Sequence, residues 1–187
     1  MNRLLNSALL LAALLLFSCQ CQTPADTVST PSQATPDAQV EDAIPGSPQA
    51  ILSLSTDPIS PSPGQEMTLE VSVQSRRPMV EIVFDLVWDG EVLEYLDSSA
   101  GPFMNASGDA SFMAIPDPGK GGRLHMVLGS GEAADAQQGD GDLCYVKYRV
   151  NAPSGLKTGI MLDGISVRGP ERAIAAADPD GMVLQVQ

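Results

Sequence analysis

The strongest constraint on this chain is a two-residue rhythm that keeps returning. In "EMTLEVSVQS", residues 66–75, Met67, Leu69, Val71 and Val73 alternate with Thr68, Glu70 and Ser72. Successive side chains of a strand point to opposite faces, so this spacing makes one apolar and one polar face. In "MVEIVFDLVW", residues 79–88, Ile82, Phe84, Leu86 and Trp88 fall on one side and Glu81, Val83, Asp85 and Val87 on the other. "RLHMVLG", residues 123–129, sets Leu124, Met126 and Leu128 against His125 and Val127. "DLCYVKYRV", residues 142–150, alternates in the same way. Shorter runs lie at 50–56, 110–116 and 181–187, with "VLEYLDSS" and "TGIMLDGISVRG" between them. Gly, Pro, Asp and Ser clusters separate all of these. No segment sustains a helical period, although "GEAADAQQG" at 131–139 has room for a turn or two. About nine strands at this spacing predict an all-β sandwich, with the last strand pairing an early one.

The rhythm is confined to residues 50–187, a single domain long enough for its own core. Residues 1–18 hold one positive charge, Arg3, then the apolar run "LLNSALLLAALLLF" at 4–17. That run is a signal-peptide core, too short for a membrane span. It ends in "LLFSC", where Leu16 stands three places before Cys19 and Ser18 just before it. This resembles the lipobox of bacterial lipoproteins and implies cleavage after Ser18 and acylation of Cys19. Each buried CH₂ of such chains contributes ~0.8 kcal/mol, and two or more chains hold firmly. Phe17 is an unusual neighbour for that cleavage; an ordinary secreted protein with a chance cysteine is the alternative. Residues 19–49 are rich in Pro, Thr, Ser, Ala and Gln, with no aromatic residue and no Lys or Arg. Such a stretch cannot bury enough surface to offset chain entropy, so it is expected to be a loose tether.

Charge narrows the partners. The chain's formal net charge is −13; the domain holds nine bases against nineteen acids. Nucleic acid and an anionic membrane surface are poor ligands for such a surface. Cys144 sits mid-strand and Cys21 in the tether. A bridge between them would tie a loose segment to a core strand; a buried free thiol at Cys144 is the simpler reading.

Taken together, the domain's motifs resemble the bacterial cohesin modules of cellulosome scaffolds. "SPSPGQEMTLEVSVQS" resembles their Pro-Gly opening into a strand. Trp88-Asp89-Gly90-Glu91-Val92-Leu93, with the later Gly101, resembles their aromatic-Asp-Pro-x-x-Leu turn, with Gly90 in place of the proline. "GGRLHMVLGSGE", "GDLCYVKYRVNAPSGLKTGIMLDGISV" and "DPDGMVLQV" resemble, in order, the mid-domain strand, the strands after it and the closing strand. The resemblance covers residues 50–187 and implies a nine-stranded jelly-roll β-sandwich that binds and does not catalyse. It implies a dockerin-like partner module, itself calcium-loaded, lying across one sheet face. On that face it places Glu81, Val83 and Asp85, then His125, Val127 and Ser130. Cohesins often carry Asn and Asp early on this strand, where Glu81 and Val83 stand here, so known dockerin specificities do not carry over.

The residues themselves agree in outline. Val83, Val87 and Val127 interrupt a face that would otherwise be polar, and apolar residues beside acids and a histidine suit a protein contact. Plain strand propensity of β-branched residues gives the same pattern. An enzyme would need a nucleophile and an orienting acid around His125, the only histidine, and no Gly-x-Ser-x-Gly elbow is present. A polysaccharide-binding module shares the sandwich topology and is the alternative function, but sugar platforms use exposed aromatic rings, of which this domain has few to offer. "QGDGD" at 138–142 and "DPDG" at 178–181 pair acids near glycine. Asp178 and Asp180 are weak calcium candidates, and neither motif is an EF-hand loop. No cofactor of the chain's own is expected. The sequence therefore predicts an exported, lipid-anchored binding module on the periplasmic or cell-surface side of a membrane.

Overall fold

The computed structural model describes residues 47–105, 108, 110–117, 121–177 and 181–187. The leader, Cys19, Cys21 and nearly all of the tether lie outside these residues, as do Asp178 and Asp180. The strands are β1 (Ala50–Asp57), β2 (Glu66–Met79), β3 (Glu81–Trp88), β4 (Leu93–Ala100), β5 (Ser111–Pro116), β6 (Arg123–Gly129), β7 (Gln137–Val150), β8 (Lys157–Arg168) and β11 (Met182–Gln185). Two two-residue strands, β9 (Ala173–Ile174) and β10 (Ala176–Ala177), complete the set. One sheet runs β10-β1-β2-β7-β4; the other runs β11-β8-β3-β6-β5, with β9 also on β8.

The alternation seen in the sequence is what packs the two sheets. Ile82, Phe84 and Leu86 of β3 and Leu124, Met126 and Leu128 of β6 are buried against Leu69, Val71, Val146 and Tyr148 of the other sheet. Each such side chain contributes roughly 1.5–3 kcal/mol by leaving water. Strict register slips at several places, and one of them lies in the middle of the β2-β7 pair. Val71 pairs Cys144 but Ser72 pairs Asp142, so Leu143 is the extra residue of a β-bulge. Leu143 and Cys144 are consecutive and both buried. Cys144 carries a free thiol, and burial pushes its pKa up to about 12.

One local expectation changes. The closing strand β11 pairs β8 antiparallel, not an early strand. The early strand β1 instead takes β10 as a short parallel neighbour, through Ala50↔Ala176 and Ile51↔Ala177. The chain thus crosses from one sheet to the other within its last stretch, and each sheet receives part of it. The 131–139 segment makes one 3₁₀ turn, Ala133–Asp135, within the turn or two it had room for, before β7 begins at Gln137.

The Asp89-Gly90 corner is built by its own backbone. Asp89 Oδ1 accepts from the Glu91 amide (2.9 Å). The Asp89 carbonyl accepts from the amides of Val92 (3.1 Å) and Leu93 (2.9 Å). The indole of Trp88 donates to the Leu93 carbonyl at 2.8 Å, and its ring meets Tyr148 edge-on at 5.0 Å. Glycine at position 90, where the motif it resembles has proline, has a physical reason. A Cβ at residue 90 would lie 2.9 Å from the Gly121 carbonyl carbon. Gly122, at φ +87°, comes so close that its own Cβ would lie 2.0 Å from the Trp88 oxygen. The strand-ending corner and the loop into β6 are therefore fitted to each other by two residues without side chains.

Candidate partner-binding face

Register alone defines the outer face of the β11-β8-β3-β6-β5 sheet, because residues opposite each other on paired strands share a side. One row across it is Ser166, Val83, Val127 and Met113. The next row is Asp163, Asp85, His125 and Ile115. A third contains Met161, Val87 and Arg123. Glu81 lies one row beyond Val83, beside Arg168, whose Nε donates to Glu81 Oε1 at 3.3 Å.

The centre of the face is a charge cluster. Asp85 Oδ1 accepts from His125 Nδ1 at 2.7 Å. Asp85 Oδ2 accepts from Arg123 Nε at 3.0 Å and also from its Nη2. The same Nη2 donates to Asp163 Oδ2 at 3.0 Å. The Asp85 side chain is 16% exposed and His125 46%. Burial raises the Asp85 pKa, but the hydrogen bonds from His125 and Arg123, with the attraction of their charges, outweigh it and hold the carboxyl below 3.8. The same contacts with Asp85 and Asp163 push Arg123 upward. The carboxylate is thus saturated by its neighbours and offers no free base. His125 is turned to Asp85 by this hydrogen bond.

Around this cluster the surface is apolar. Met113, Ile115 and Met161 are 49%, 48% and 55% exposed, and Val83, Val87 and Val127 are half-buried between them. Five of the six residues expected on this face share it: Glu81, Val83, Asp85, His125 and Val127. Ser130 does not. It lies one residue past β6, is fully buried, and its amide donates to the Val80 carbonyl at 2.9 Å. The chain has turned inward there, so Ser130 closes the end of the sheet and is not on the exposed face. Sequence reasoning missed Arg123, Asp163, Met113, Ile115 and Met161. Arg123 and Met161 were legible as outward positions in their strands; the pairing of β5 and β8 around β3 and β6 was not.

The other assigned groups are quickly placed. Asp142 of "QGDGD" accepts from the Tyr145 hydroxyl at 2.7 Å, which raises the tyrosine's pKa to about 12. Among the described residues no three His, Cys, Asp or Glu side chains cluster as a metal site. Trp88, Phe84 and Tyr148 are buried, and Tyr95, Tyr145, Phe103 and Phe112 are half-buried.

The two sheets form a β-sandwich of cohesin type, and solved structures similar to it in shape are cohesins. The sixth cohesin of Acetivibrio cellulolyticus scaffoldin B, solved in complex with a dockerin, matches with a TM-score of 0.62 and 18% identity over 73% of this chain and 99% of that one. A cohesin of Clostridium acetobutylicum, solved in solution, matches with a TM-score of 0.64 and 16% identity, over 74% of this chain and 91% of its own. The non-cellulosomal cohesin of the archaeon Archaeoglobus fulgidus gives 0.59 and 18%, over 74% and 90%. No family model and no curated protein matches the chain. At these identities the likeness is one of fold.

Proposed function

We propose that the chain is a non-catalytic docking module, and that a dockerin-like protein lies across the outer face of β3, β6 and β5. The observation that carries this reading is the row Val83–Val127–Met113 beside the Asp85–His125–Arg123 cluster. A protein contact wants apolar area that desolvates cheaply, with polar groups already paired at its centre or rim. This face supplies both. Two solved cohesins of the same shape were captured in complex with dockerins, which supports the choice of partner class. A sugar platform is less favoured, because all the described aromatic rings but Tyr145 lie in the core or pack against it. The "LLFSC" motif supports the further proposal that Cys19 is acylated and that the tether displays the module on the cell envelope. A single module of this kind would fix one partner to a membrane, with no cofactor of its own. Calcium would be the partner's requirement.

The test is capture of partners from the source organism's secreted proteins by the chain, with and without a calcium chelator. Val83→Asp with Val127→Asp is the matched variant. A calcium-dependent catch bearing duplicated EF-hand-like loops, lost with the double variant while the melting curve stays cooperative, is the expected result. Unchanged capture by the variant would sink the assignment of the face. Direct calorimetric binding of a polysaccharide, with no protein caught, would sink the partner class.

A further inference from the structure

The sheet that carries the partner face ends at β5, and backbone register shows what that edge offers. In an antiparallel pair, residues that exchange hydrogen bonds alternate with residues whose amides and carbonyls turn the other way. The Trp88 amide donates to the Gly122 carbonyl at 2.8 Å and the Ser130 amide to the Val80 carbonyl at 2.9 Å, both on the register that pairs β3 with β6. Even-numbered residues of β6 therefore bond β3. The Asp117 amide donates to the Arg123 carbonyl at 3.0 Å, on the register that pairs β5 with β6. Odd-numbered residues of β5 and β6 therefore bond each other. Phe112 and Ala114 are left with amide and carbonyl turned to the open edge, and Pro116 with its carbonyl alone. Among the described residues neither of these two amides has an acceptor. The side chains of Phe112 and Ala114 pack against the core, which holds the strand in place.

An open edge is a template for strand addition, and proteins blunt it with charge, bulges or brevity. The other sheet edges are blunted in this way. β4 carries Glu94 and Asp97, β10 has two residues and β11 four. β5 has six, "SFMAIP", without a charge among them, in a chain of net charge −13. The strand is also complementary to itself. Lay it antiparallel against a copy so that Phe112 faces Ala114 of the copy. Every open amide of Phe112 and Ala114 on both strands then meets a carbonyl, and Met113 faces Met113 of the copy across a two-fold axis. The exposed row Val83–Val127–Met113 runs on into the same row of the second copy.

We infer that β5 is a self-association edge, where two copies of this chain join their sheets into one through Phe112 and Ala114. The outer faces of β3, β6 and β5 in the two copies then form a single surface. The association does not rest on the docking role proposed for that face, and its test uses no partner. Two acidic domains repel each other, so added salt should tighten the contact.

Disulfide trapping on the full chain in detergent tests both the edge and its register. Opposed residues that do not exchange hydrogen bonds lie about 4.5 Å apart between Cα atoms, within disulfide reach. Met113→Cys, oxidised with copper phenanthroline, should give a covalent dimer that peptide mass mapping finds linked through position 113. Ile115→Cys, whose counterpart in the copy lies about 13 Å further along the strand, should give at least tenfold less. Ala114→Pro added to Met113→Cys removes an open-edge amide and spares the bonds to β6. Trapping should then fall at least tenfold while the melting curve stays cooperative. With no substitution at all, amide hydrogen exchange at Phe112 and Ala114 should slow as the protein concentration is raised, and more so in high salt. Equal trapping at positions 113 and 115 would overturn the inference. So would trapping that survives Ala114→Pro, or exchange at Phe112 and Ala114 that does not depend on concentration.

Discussion

Two side chains show how much a single position can carry. Trp88 ends β3 with its indole donating to the Leu93 carbonyl at 2.8 Å and its ring edge-on to Tyr148. Trp88→Phe keeps most of the apolar body but leaves a buried carbonyl unpaired, at about 1–3 kcal/mol. It also loses part of an aromatic contact of about 0.5–1.5 kcal/mol. Chemical denaturation should therefore show a loss of roughly 2–4 kcal/mol with the same denaturant slope. Asp85 is a different case, because its cost depends on pH. Its carboxyl is held below 3.8 in the folded protein by Arg123 and His125. The ionised form is thus favoured by folding, and its contribution is complete above the unfolded carboxylate pKa. It is lost as pH falls through the lower folded value. Asp85→Asn should cost about 1 kcal/mol at pH 7, the small size following from the half-exposed partners. The gap between Asp85→Asn and wild type should close as the pH is taken below the usual carboxylate range. Urea midpoints measured from pH 7 downward check it; a gap that persists or widens in acid would mean that the Asp85 charge is not what stabilises the cluster.

At the scale of strands, register turns scattered residues into a surface. Val83, Val127 and Met113 are 14 to 44 places apart in the chain, yet they are direct cross-strand neighbours. The alternation of β3 and β6 was readable from composition and spacing, so Glu81, Val83, Asp85, His125 and Val127 could be put outward from the sequence. Ser130 could not be placed, because the pattern says nothing about where a strand ends and the chain turns in. Met113 and Ile115 were hidden for another reason. β5 has no clean alternation, with "SFMAIP" apolar at nearly every position, and only its pairing with β6 shows which side faces out. The Leu143 bulge was invisible as well, since two adjacent buried residues contradict any strict period. From this follows an element-level prediction. Met113→Glu with Ile115→Glu changes exposed side chains of an edge strand, so stability should move by no more than about 0.5 kcal/mol. Partner binding should nevertheless fall at least tenfold, in the range of a centrally placed contact of about 1.4 kcal/mol or more. Lys147→Glu, exposed on the other sheet, is the control and should leave affinity unchanged. Calorimetric titration with the captured partner separates the two sheets; equal losses from both would show that the contact is not confined to one face.

For the whole molecule, the decisive feature is how the chain closes. The last stretch visits both sheets: β9 pairs β8, β10 lies parallel to the start of β1, and β11 returns to β8. The sequence suggested a return to an early strand, and that return is made by β10, while the longer closing strand goes elsewhere. Alternation could not reveal this, since Leu184 and Val186 read as inward whichever sheet receives them. Both are 1% exposed, and the Val186 amide donates to the Leu156 carbonyl at 2.9 Å. Leu184 and Val186 are therefore part of the core. Leu184→Ala should cost about 2–5 kcal/mol through lost burial and the cavity left behind, and Val186→Ala somewhat less. A domain of this size has only about 5–15 kcal/mol in hand. The double variant should then sit close to its unfolding midpoint at room temperature. Urea titration followed by tryptophan fluorescence reports this directly, because Trp88 is the chain's single tryptophan and lies in the same core. A variant that keeps a wild-type midpoint would mean that β11 is dispensable and that the two sheets are held together without it.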